Sequence, residues 1–261
     1  MITQNDKLPV YFFGHGNPMY AITNNIYRNK WLELSNLIEK PKFILCISAH
    51  WYTRGTWVCN VAKPETIHDF GGFPKELYQV VYPANGFPEK AEEVSENVTS
   101  VKIQTTNEWG LDHGAWSVLM NIFPKADIPV FQLSIDYTKP PEFHYQLGKE
   151  LAYLREKGCM VIASGNVVHN LRKALWDKEA KAYDWAIEFE DFVKSNIETV
   201  NFANLVNYIS LGQTAQLAHP VNDHYLPLLY ILGMVDKPSY VEFFNQGIDM
   251  GSMSMLSVKF S

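Results

Sequence analysis

The run Phe-Ile-Leu-Cys-Ile-Ser at positions 43–48 constrains this fold more than any other stretch of the chain. It has the length of a strand, and nearly every residue is apolar, so neither face can meet water. Such a strand belongs in the middle of a sheet covered by helices on both sides. Comparable runs occur at 10–13, 57–62, 129–135 and 160–163, with further strand patterns at 101–105, 239–244 and 252–258. Helical periodicity covers 25–39, 88–98, 114–122, 140–157, 183–197, 202–210 and 223–233, and a helix after Ser164-Gly165-Asn166 is expected to carry His169. The stretch 68–88 is punctuated by Gly71-Gly72, Pro74, Pro83 and Pro88 and reads as loop. The expected fold class is α/β, a three-layer α/β/α sandwich with a mostly parallel mixed central sheet. With no internal repeat and no Gly/Ser linker, residues 1–261 read as a single domain.

Composition excludes several partners. A net charge of −6 disfavours nucleic acid, whose phosphates call for clustered Lys and Arg. No run approaches the ~20 apolar residues of a membrane span. Residues 1–10 are polar and carry no signal-peptide pattern. Cys46, Cys59 and Cys159 lie in strand-like runs without CxxC spacing, which fits buried thiols in a cytoplasmic protein. A monomer or small homo-oligomer is expected.

The histidines carry the chemistry. His15, in Gly-His-Gly, and His50, in Ser-Ala-His-Trp, each end an apolar run and are expected on neighbouring strands. Residues just past strand C-termini line the ligand crevice of open α/β sheets, so these two are candidate metal ligands. The third ligand falls on the pair Asp223-His224 at the start of an apolar helix, where side chains of adjacent residues diverge by about 100°. His224 would give the all-histidine set typical of catalytic zinc. Asp223 would restore the two-histidine, one-carboxylate set of non-haem Fe(II) oxygenases. His169, at a helix N-terminus, is a candidate general base. His113 is placed to hydrogen-bond substrate or oxygen, and His68 to line a pocket wall. His219 reads as loop surface and His144 as an exposed or half-buried helix residue. Arg54 and Arg172 are possible carboxylate clamps. The chain has no GxGxxG after its first strand, no GxxxxGK[ST], no GxSxG and no HExxH, which removes the common nucleotide-binding, hydrolase-elbow and zinc-protease patterns.

Six motifs resemble one family as a set. They are Gly-His15-Gly-Asn-Pro-Met, Ser-Ala-His50-Trp, Ile-His68-Asp-Phe-Gly-Gly-Phe-Pro, Trp-Gly-Leu-Asp-His113-Gly-Ala-Trp, Ser-Gly-Asn-Val-Val-His169-Asn and His224-Tyr-Leu-Pro-Leu-Leu-Tyr. The chain resembles the class III, LigB-type extradiol ring-cleavage dioxygenases, in particular their 4,5-DOPA extradiol dioxygenase subgroup, from about residue 8 to 258. The resemblance implies one divalent metal per chain held by His15, His50 and His224. It makes His169 an acid/base or a possible fourth ligand, and gives His113 a substrate or oxygen contact. Where the subgroup usually has Pro-Glu-His, this chain has Asn222-Asp223-His224, so His224 is preferred as ligand, with Asp223 orienting it.

The implied reaction opens a DOPA-like catechol with O₂ at an Fe(II) centre, giving a muconic semialdehyde or seco-DOPA. Zn²⁺ is plausible as the bound metal. On the same fold, a zinc-dependent hydrolase or a non-catalytic metal-bearing binding module are the alternatives.

Overall fold

The computed structural model describes residues 7–177, 180–235 and 237–261. Its central sheet runs in the order β6 (Val130–Gln132), β2 (Phe43–Ser48), β8 (Cys159–Gly165), β1 (Val10–Gly14), β12 (Ser257–Phe260) and β9 (Val241–Asn245). The pairs β6–β2, β2–β8 and β8–β1 are parallel, whereas β1–β12 and β12–β9 are antiparallel. Three two-stranded pairs flank this sheet: β3 (Tyr52–Thr53) with β7 (Ile135–Asp136), β4 (Thr56–Cys59) with β5 (Ile103–Thr106), and β10 (Ile248–Asp249) with β11 (Met253–Ser254).

Every residue of β1, β2 and β8 is buried. Successive strand side chains point to opposite faces, so Phe12, Leu45 and Val161 enter one core while Phe13, Cys46 and Ile162 enter another. The second core is closed by α1 (Ile26–Ser35) and α3 (His113–Ile122), through Trp31, Leu34, Trp116 and Leu119. The first is closed by α2 (Pro88–Asn97), α4 (Pro141–Leu151), α5 (Asp184–Glu198), α6 (Phe202–Val206), α7 (Gln213–Ala218) and α8 (Leu226–Gly233). The result is the expected three-layer α/β/α sandwich. All three cysteines are buried and free, and no helix among the described residues is long and apolar enough to cross a membrane. Residues 1–6 of the polar leading stretch lie outside the described residues.

Several elements differ from the sequence pattern, each for a local reason. The apolar run 129–135 is not one strand. Ser134 N–H donates to Trp57 O and Ile135 N–H to Trp51 O, so the chain leaves the main sheet after Gln132 to form β7. The helix expected over 140–157 ends at Leu151 and tightens into a 3₁₀ segment, Ala152–Lys157, which Gly158 terminates at φ 85°. No helix carries His169. Its N–H donates to Ala218 O and the residue bridges Met253, leaving only a short 3₁₀ turn at Leu171–Lys173. Asp223 and His224 precede α8 rather than opening it, because Pro227 sits in that helix's first turn, where a missing N–H costs nothing.

Two histidines expected near the surface are buried. His144 lies on the apolar stripe of α4 with Leu147, Gly148 and Leu151, and its Nδ1 is 3.0 Å from the Tyr230 hydroxyl. His219 Nε2 is 2.7 Å from Val167 O, beneath Phe189 and Tyr225. Burial lowers both imidazoles to about 4. Their folded-state values lie below the unfolded value near 6.5, so the unfolded chain binds more protons between those limits. Stability from this source is therefore complete above pH ~6.5 and falls as the pH drops toward ~4, by roughly 3 kcal/mol per imidazole. Urea midpoints measured from pH 7 to 4.5 should fall steadily. A flat series would show that these rings are not held neutral.

Candidate active site

The parallel strands β1, β2 and β8 end at one edge of the sheet, and the site is built there. His15 directly follows β1, and its N–H donates to Gly165 O across the strand ends. His50 follows β2 by two residues. The two strands are not neighbours, because β8 lies between them. The imidazoles nevertheless meet over the end of β8, with His15 Nε2 and His50 Nε2 3.1 Å apart. His113 opens α3 behind the cap of Asp112, whose carboxylate accepts from Ala115 N–H and from Ser48 Oγ. A Cβ on Gly114 would sit 2.4 Å from Ser48 Oγ and 2.9 Å from His50 Cδ2, so this glycine lets the helix start close onto the end of β2. Similarly, a Cβ on Gly165 would sit 2.2 Å from His224 O, so the turn carrying His224 can rest on β8 only at a glycine. His169 stacks on His224, with centroids 3.5 Å apart and planes 8° from parallel.

His15, His50, His113, His169 and His224 thus share one cavity of about 550 Å³. Its remaining walls come from Gly16–Pro18, from Asp69–Phe73, from Leu171 and Trp176, from Asp223, and from Met250 and Met253. His68 is not in that lining. Its Nε2 is 3.0 Å from Val80 O and its ring packs among Phe70, Tyr78 and Trp116, so the loop's contribution passes to Asp69 and Phe70. Arg54 and Arg172, both exposed, also lie outside the lining.

Asp69 is the functional residue that the histidine pattern missed. Its side chain is 18% exposed, and Oδ2 lies 3.1 Å from His50 Nδ1 and 3.0 Å from His113 Nδ1. Oδ1 accepts from His113 N–H at 2.9 Å. Asp69 Oδ2 is thus shared between the two imidazoles. Burial alone would raise the Asp69 carboxyl, but His113 and His50 hold it well below the usual carboxylate range. The available signal was position: an aspartate between His68 and Gly71-Gly72, in a loop long enough to fold over the strand ends.

Three rings have an oxygen partner on Nδ1: His15 has Ser164 Oγ at 3.0 Å, His50 has Asp69 Oδ2, and His224 has Asp223 Oδ1 at 2.9 Å. In the tautomer that protonates each Nδ1, these oxygens all accept and three Nε2 lone pairs are left over. Burial and the surrounding imidazoles push His15 and His224 well below the ordinary histidine range. Burial also lowers His169, to about 4, against the pull of Asp223. His113 is lowered as well, by burial and by His50. His50 is opposite. Burial lowers it, yet Asp69, Asp112 and Asp223 raise it overall, so positive charge is favoured at this ring. Facing lone pairs 3.1 Å apart repel unless a cation lies between them, and neutral imidazoles beside carboxylates suit a divalent ion. Among the described residues, two sets place their ligand atoms within 4.8 Å of one another: His15, His50 and His113, and His169, Asp223 and His224.

The sequence matches, over residues 14–260, the family described as the catalytic LigB subunit of aromatic ring-opening dioxygenase. The chain is 44% identical to a 4,5-DOPA dioxygenase extradiol of Escherichia coli K12, over 99% of this chain and 97% of that protein. It is 36% identical to the protein of that name from Beta vulgaris, over 100% and 99% of the two chains. A crystal structure of an uncharacterised protein from Escherichia coli K12 superposes with a TM-score of 0.86 at 40% identity, covering 98% of this chain and 100% of that one. The order of the strands, the histidine-lined cavity at their ends and these likenesses agree: the chain belongs to the LigB family of aromatic ring-opening dioxygenases.

Proposed function

We propose that this chain cleaves a DOPA-like catechol in the extradiol manner, using both atoms of O₂, within the cavity at the ends of β1, β2 and β8. The observation that carries this reading is the set of three imidazoles whose Nδ1 atoms each meet an oxygen partner beside a cavity large enough for a substituted ring. His15, His50 and His224 would hold the metal. Asp223 acts through His224, because its Oδ1 is engaged by that ring's Nδ1 and by the His224 N–H. Fe(II) held there would supply the redox link between catechol and dioxygen, whereas Zn²⁺ has no redox chemistry to offer.

The protein's own groups do the rest. His169 is neutral at pH 7 and takes a proton from a catechol hydroxyl. The imidazolium formed is a strong acid in this buried setting, so the same residue can return the proton to a departing oxygen. His113, which lines the cavity, hydrogen-bonds charge that develops on oxygen. Phe70 and Met253 supply an apolar lining for the ring.

The decisive experiment is anaerobic reconstitution with Fe(II), addition of a catechol, then admission of oxygen. A yellow ring-opened product that requires both iron and O₂ is expected. Ester or amide hydrolysis with Zn²⁺, or saturable catechol binding without turnover, would overturn the reading.

A further inference from the structure

We infer that the cavity selects catechols by the charge of their substituent, favouring a ring that carries an ammonium group and disfavouring one that carries only a carboxylate. This rests on the ring-cleavage reading and narrows its substrate class. Among the described residues, no lysine or arginine lines the cavity, and its lining carboxylates are Asp69 and Asp223. The two differ in what they have left to offer. Asp69 spends Oδ1 on the His113 N–H and Oδ2 on two imidazoles. Asp223 places both of its contacts, the His224 N–H at 2.7 Å and His224 Nδ1 at 2.9 Å, on Oδ1. Its Oδ2 is left for a ligand, beside His169 and with the side chain only 27% exposed.

An ammonium donating to Asp223 Oδ2 gains a charge-assisted hydrogen bond in a partly shielded site. Away from the metal and its ligands, a carboxylate finds neutral donors such as the Asn17 amide, whose Oδ1 is already taken by the Met19 N–H. It also meets two lining carboxylates. An amino-acid catechol is accepted through its ammonium, with its carboxylate turned to the mouth of the cavity. A catechol acid without the amine is not.

The test uses the Fe(II)-loaded protein under anaerobic conditions, where binding is read by tryptophan fluorescence without turnover. The probes are 3,4-dihydroxyphenethylamine, 4-ethylcatechol and 3-(3,4-dihydroxyphenyl)propionate. The amine is expected to bind about tenfold or more tightly than the neutral catechol, and the acid more weakly than either. Asp223→Asn keeps an Oδ1 acceptor for His224 but replaces Oδ2 with a donor, so the preference for the amine should collapse. A loss that left the ranking intact would mark a purely structural role for Asp223 and overturn the inference, as would equal or tighter binding of the acid. Admitting oxygen separates the two levels. Ring opening of all three probes without ranking sinks the charge inference alone. Ranked binding with no ring opening sinks the ring-cleavage reading and leaves the charge inference standing.

Discussion

Replacing His169 with alanine is expected to lower kcat by about 10²–10⁴-fold, the usual worth of a positioned acid/base, while bound metal per chain stays at the wild-type level. His169 stacks on His224 without sharing its hydrogen bonds, so the metal set should survive its removal. The stack also predicts that His169→Gln, which keeps a polar group but cannot cycle a proton near neutrality, will be nearly as impaired as alanine. Single-turnover rates after oxygen admission, together with metal analysis of the same samples, check both halves. Normal turnover in the alanine variant would remove His169 from proton transfer. Parallel loss of metal and turnover would make it a ligand instead.

The second large effect concerns which histidines hold the ion. His224→Ala is expected to weaken metal binding by more than about 100-fold, since even partners of ligands cost 10–100-fold when removed. His113→Ala should keep the metal and lose turnover. The structure makes this a real contest, because His113, and not His224, joins His15 and His50 in a cluster of ligand atoms within 4.8 Å of one another. What favours His224 is its partner: Asp223 meets its Nδ1 at 2.9 Å in hydrogen-bonding geometry, whereas His113 Nδ1 shares Asp69 Oδ2 with His50 Nδ1. A ligand must present one nitrogen and have the other held, and His113 has no carboxylate to itself. Equilibrium competition with a chelator, run on both variants, decides it. If His113→Ala loses the ion and His224→Ala retains it, the set is His15, His50 and His113.

Much of this was legible from patterns that burial imposes. Phe43–Ser48 is a central strand with the bounds its apolar run suggested, because a strand buried on both faces leaves no ambiguity about where water begins. The same logic failed at 129–135, where the run is largely apolar but is shared between two sheets. Apolarity reports burial, and it does not report which backbone accepts each N–H. His169 was placed in a helix that does not form, since the segment gains its hydrogen bonds from Ala218 and Ser252, far along the chain. His144 and His219 looked polar and are buried, each with one ring nitrogen bonded inside.

The site divides in the same way. His15 and His50 could be found because each ends a recognisable strand. That they meet across an intervening strand could not, because strand order is a tertiary property. Asp69 was invisible for a related reason. Its role depends on a loop folding back over the strand ends, and nothing in its neighbours announces which imidazoles it will face.

Asp69 also leads directly into Phe70, Gly71, Gly72 and Phe73, the wall against which an aromatic ring would rest. The carboxylate that steadies His50 and His113 therefore rides on the segment nearest the incoming guest. Exchange of the ion and exchange of the ring are therefore expected to be coupled. A chain with its cavity filled should surrender its ion to a chelator far more slowly than an empty one, and the slowest moment for the metal is the one at which the chemistry needs it.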